Sequence, residues 1–118
     1  MDIKIGCQTL PYSELPLDRA LEGIARAGYR YVCLGTTHEK QPALDPTWSE
    51  AQTLELGRRV EDAGLIPVMA FQVSGGLTGE GGVDLWKKRL DQGKLLGMDC
   101  LLGWVPGEHE SSHGKKYG

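Results

Sequence analysis

The sequence predicts a parallel α/β fold, on three observations. A unit of helix, glycine and short strand occurs three times. The strands are almost wholly apolar. The links from strand to helix are long, while the links from helix to strand are minimal. The three units are Leu17 to Ala27, Gly28 and Tyr29 to Leu34; Trp48 to Ala63, Gly64 and Leu65 to Phe71; and Val83 to Leu96, Gly97 and Met98 to Leu102. Their glycines lie 36 and 33 residues apart, the length of a βα unit and too long for a hairpin array.

Taken in order, a first strand is predicted over Ile3 to Thr9, ahead of the repeats. In the first helix Leu17, Ala20, Leu21, Ile24 and Ala25 form one apolar stripe, and Pro16 stands where a missing N–H costs nothing. The second helix has Thr47 and Glu50 as a capping box, with Asp45-Pro46 as an alternative start. In the third, Trp86, Leu90, Gly93 and Gly97 share a face, with Gly93 either weakening the helix or allowing close packing on a sheet. A glycine after each helix is the expected left-handed stop. Tyr31 to Leu34 and Cys100 to Leu102 show little alternation, which suits strands buried on both faces. The predicted order is strand, helix, strand, helix, strand, helix, strand.

Composition narrows the function. The 118 residues suit one domain, and 40% hydrophobic with 25% charged residues is a globular balance. The net charge of −3 lacks the footprint of a general nucleic-acid binder, and Lys115-Lys116 is too short for a basic patch. No apolar run reaches the roughly 18 residues of a membrane span, and Met1-Asp2-Ile3-Lys4 leads straight into the first strand without a secretory signal. Cys7, Cys33 and Cys100 form no C-x-x-C pair and read as reduced thiols in a cytoplasmic core.

The long links, Gln8 to Glu14, Gly35 to Thr47 and Gln72 to Gly82, place function at the C-terminal ends of the strands. They carry Gln8, Tyr12, Thr36, Thr37, His38, Glu39, Gln72 and Ser74. His38 is either an exposed histidine or an acid–base or ligand group. Gly75 to Gly82 lacks both phosphate-loop spacings and reads as a mobile loop over the site. Tyr12 and Trp104 are core residues or platforms for a sugar face. His109-Glu110-Ser111-Ser112-His113 matches H-E-x-x-H, so a small zinc hydrolase using His109, Glu110 and His113 is one alternative. Pro106, Gly107 and Gly114 deny that motif its helix, and residues 106–118 are expected to be a flexible polar tail. Another alternative is a stand-alone α/β module that binds a small ligand or a protein.

Ile3-Lys4-Ile5-Gly6-Cys7-Gln8-Thr9, the Leu17…Ala27-Gly28-Tyr29 joint and the Ala63-Gly64-Leu65 joint together resemble the xylose isomerase-like barrel superfamily. That superfamily includes sugar and sugar-phosphate isomerases and epimerases, inosose dehydratases and endonuclease IV-type enzymes. The resemblance covers residues 1–105, so a partial (β/α)8 TIM barrel is expected there, the first half of about 250 residues. It implies metal-assisted proton transfer next to a carbonyl, on a sugar or sugar phosphate, with Mn, Mg, Co or Zn in the intact enzyme. The metal ligands of the epimerase-like branches lie in the second half of the barrel, so none is assigned here and the chain is expected to be inactive alone. Many members end the second strand in an acidic residue; this sequence has Leu34-Gly35-Thr36. By the same resemblance Gln8, His38, Gln72 and Trp104 line the substrate mouth; Tyr12 joins them as a candidate only for its ring. The exposed edges of a half barrel predict homo-oligomer formation.

Overall fold

The structure is a computed structural model that describes residues 3–72 and 80–103; the side chain of Gln72 falls outside the description. Four parallel strands form the sheet: β1 (Gly6–Gln8), β2 (Tyr31–Leu34), β5 (Ile66–Gln72) and β6 (Cys100–Gly103). Between them run α1 (Leu17–Arg26), α2 (Glu50–Asp62) and α3 (Gly82–Leu95). A short 3-10 turn at Leu10–Tyr12 follows β1, and a small antiparallel hairpin of β3 (Thr37–His38) and β4 (Gln41–Pro42) follows β2.

The spatial order β1-β2-β5-β6 is also the chain order. A doubly wound sheet reverses its strand order at a switch point, whereas this one advances in one direction, as a barrel wall does. Across the width of the sheet Lys4, just ahead of β1, pairs with Asp99, just ahead of β6, with Nζ–Oδ2 3.0 Å.

The helices cover one face. Leu17, Leu21 and Ile24 of α1 and Leu56 and Val60 of α2 pack on Val32, Leu34 and Ala70, with Cys7 and Leu101 at the margins. Alternation turns Gly6, Gln8 and Cys33 to the other face. There a Cβ on Gly6 would meet Cys33 Sγ at 3.0 Å and Val68 Cγ2 at 3.5 Å. Toward β6 that face is open, with Leu102 46% exposed, while Cys33 in its middle is buried.

The predicted helix ends hold: Gly28, Gly64 and Gly97 all take positive φ just beyond their helices. Several details differ. The first strand is shorter than Ile3 to Thr9, because Ile3 and Ile5 are exposed ahead of the pairing with β2. The capping box belongs to Ser49 and Gln52, two residues after the predicted one. Thr47 instead bonds Asp45 Oδ1 through both its N–H and its hydroxyl, closing a turn before the helix. The link Gly35 to Thr47 contains the hairpin, whose turn residues Glu39 and Lys40 both have positive φ, the twist a two-residue hairpin requires. β5 carries one extra residue, Val68, between its pairings to Val32 and Cys33. On α3 Leu90 is exposed, and Arg89 and Gln92 share the buried stripe with Trp86 and Gly93. Cys100 is exposed on the edge strand, outside the core assigned to it, and β6 is not buried on both faces. No helix among the described residues is long and apolar enough to cross a membrane.

Candidate functional site

The C-terminal ends of the strands form a rim built by the loops after β1 and β2. Thr9 sits where β1 ends and is fully buried. Its N–H donates to the Cys33 carbonyl at 2.9 Å, extending the ladder by one residue. Its Oγ1 accepts from the Gly35 N–H at 2.7 Å and lies 2.8 Å from His38 Nε2. His38 Nδ1 lies 3.0 Å from the Leu15 carbonyl. A carbonyl only accepts, so Nδ1 carries a proton; in the neutral ring Nε2 then accepts the Thr9 hydroxyl. The Glu39 N–H donates to the Ser13 carbonyl at 2.8 Å, a second tie between the hairpin and the turn after β1.

The predicted site residues fall into four groups. Gln8 closes β1 on the open face, and Tyr12 ends the 3-10 turn at 43% exposure, so both stand at the rim. Gln72 ends β5, its backbone paired with Gly103. His38 is 4% exposed and has protein partners at both ring nitrogens. Trp104, the H-E-x-x-H stretch, the tail 106–118 and residues 75–79 of the glycine-rich loop lie outside the described residues.

Sequence reasoning gives no signal for Thr9, which bonds His38, or for Gly35, which bonds Thr9. Thr9 reads simply as the end of a strand, and Gly35 as a missing carboxylate. Gly35 has a packing reason: a Cβ there would stand 3.0 Å from both Leu10 N and Cα. The turn after β1 thus lies directly on the backbone after β2.

A further polar cluster joins the hairpin link to the helices. Gln92 Nε2 donates to the Asp45 carbonyl at 2.7 Å and to Thr53 Oγ1 at 3.2 Å. Arg89 beside it is buried, which lowers its affinity for a proton, with Asp45 opposing the shift. Within the sheet, burial pushes the Cys33 thiol up, and Cys100 and Cys7 add to the effect, so Cys33 stays a protonated thiol at neutral pH.

Cavities do not mark the rim alone. A cavity of about 660 Å3 lies between α2 and α3 at the start of β5, lined by Leu54, Gly57, Leu65, Ile66, Leu95 and Leu96, at the end of the sheet opposite the rim. A cavity of about 280 Å3 lies beside His38, between Pro16, Gln41, Asp45, Trp48 and Arg59. The chemistry of the residues, not the size of the space, places the candidate site at the rim. The described residues do not fit a metal ion. Among the described residues no three His, Cys, Asp or Glu side chains come together to hold one, and both His38 nitrogens are engaged.

No family model matches the sequence, and no curated protein matches it. A solved structure does: that of a D-psicose 3-epimerase in the presence of D-fructose, at a TM-score of 0.58 and 17% identity, covering 86% of this chain. The fold is that of part of a TIM barrel. The match takes in 37% of the epimerase chain, so this chain spans well under half of that protein's length. The arc of consecutive parallel strands, and the parallel α/β class predicted from the repeats, agree with this likeness.

Proposed function

We propose that residues 1–105 are the N-terminal part of a sugar or sugar-phosphate isomerase/epimerase-like barrel, incomplete and inactive alone. One observation carries this: the likeness to an epimerase barrel over 86% of this chain but 37% of that one. The long loops at the strand ends support it, since a barrel enzyme draws its site from those loops. Gln8, Tyr12, Gln72 and Trp104 are the proposed sugar contacts, with His38 behind them. The intact enzyme of this reading uses a divalent metal to assist proton transfer next to a carbonyl. Its ligands would come from strands beyond those described, and residues 3–72 and 80–103 supply no such set.

The test is to read the coding frame past Gly118 and express the whole of it. The reading expects roughly another 130–180 residues. It also expects a product that epimerises a ketose and loses that activity to a chelator. A stop codon directly after Gly118, or a complete product that neither binds nor turns over sugars, overturns it. The alternative of a stand-alone binding module leaves β1 and β6 as open edges, a liability for an isolated domain. For the same reason the 118-residue chain on its own is expected to self-associate through those edges. Light scattering that shows a stable monomer would reject that expectation.

A further inference from the structure

The geometry points to a positioning latch: Thr9 and His38 lock the loop after β1 to the loop after β2, and so place Gln8 and Tyr12, without themselves touching a ligand. What the rim is for rests on the sugar-barrel reading; the latch does not.

The argument begins with burial. Thr9 is 0% and His38 4% exposed, and each polar atom of the pair has a partner. In the neutral ring the bonds run in one direction, from the Gly35 N–H to Thr9 Oγ1, from the Thr9 hydroxyl to His38 Nε2, and from His38 Nδ1–H to the Leu15 carbonyl. Each donor is used once, and a chain of this kind is held by mutual polarisation. The groups it connects come from three places: the end of β1, the residue after β2, and the hairpin. Leu15 closes the circuit at the far end of the loop that contains Tyr12. A ligand or base role would require Nε2 to give up the Thr9 hydroxyl, leaving a buried donor with no acceptor. The imidazole is therefore a positioning residue, fixed in one tautomer by an acceptor-only carbonyl.

The test uses the 118-residue chain and no sugar, so it stands apart from the test of the barrel reading. Imidazole nitrogen shifts should show His38 protonated on Nδ1 with Nε2 as acceptor. Added Mn2+ should leave those signals unbroadened. The Gly35 and Glu39 amides should be protected from hydrogen exchange. Thr9→Val should speed their exchange about tenfold, the value of one lost bond, while Thr9→Ser should restore it. An Nε2–H tautomer, broadening of the ring by Mn2+, or equal protection in Thr9→Val would each overturn the latch. If Thr9→Val does not fold, the wild-type tautomer and the Mn2+ titration decide alone.

Discussion

Leu34→Ala is expected to destabilise the chain by about 2–5 kcal/mol, the range for removing a buried leucine side chain from a core. Leu34 is 0% exposed at the end of β2, in the cluster formed with Leu21, Leu44, Leu56 and Val60. Neighbours come from α1, α2 and the link after the hairpin, so no single element can slide in to fill the space. A small domain has only about 5–15 kcal/mol in total. With a urea slope of about 1–3 kcal/mol per molar, the midpoint should fall by about 1 M or more. Leu102→Ala is the control. Leu102 lies on the open face of the edge strand at 46% exposure, so its loss should move the midpoint far less. Equal shifts for the two variants would show that the helices do not cover the face described here. The consequence also reaches the rim, because Leu34 is followed directly by Gly35, whose N–H begins the bonded chain through Thr9 and His38.

Much of the architecture could be read from local patterns because the deciding forces are local. A glycine after an amphipathic stretch marks a helix stop wherever the backbone must turn left-handed, and Gly28, Gly64 and Gly97 do so. Unequal links reveal which end of a parallel sheet carries the loops. The misjudged details share a different cause. Thr47 and Glu50 have capping-box spacing, but Asp45 competes for Thr47, and Ser49 with Gln52 is left to cap the helix. Glu39-Lys40 has none of the asparagine or glycine that signals a tight hairpin turn, so β3 and β4 are silent in the sequence. Leu90 fits the apolar stripe of α3, but Gln92 finds Asp45 and Thr53, and that bonding lets a polar side chain be buried in a place where periodicity alone expects an apolar one. At the rim, His38 drew notice as a reactive residue type. It bonds Thr9, 29 residues away, and Thr9 in turn bonds the Gly35 N–H; only the pairing of β1 with β2 brings all three together.

Gly103→Ala is the second large effect, and it tests how α3 sits on the sheet. A Cβ at Gly103 would overlap the Cη2–Cζ2 edge of the Trp86 ring. Trp86 is 9% exposed, and an indole is rigid beyond its two side-chain torsions. Relief therefore requires a new rotamer or a shift of α3 away from β6. Overpacking of this kind costs about 1–3 kcal/mol, occasionally more. Gly93, one face of the same helix, shows the contrast: a Cβ there would meet Leu101 at 3.4 Å or beyond, an ordinary contact. Gly93→Ala should then be neutral or gain up to about 1 kcal/mol of helix propensity. The cycle with Trp86→Leu separates the causes. If the ring is the obstacle, Gly103→Ala should cost less on the Trp86→Leu background than alone, with a coupling of about 0.5–3 kcal/mol. Strict additivity would mean that Gly103 is needed for its own backbone and not as the seat of Trp86. Chemical denaturation of the four proteins reads both outcomes. The result bears on the rim because Gly103 pairs with Gln72, the last residue of β5, and a displaced β6 would carry that strand end with it.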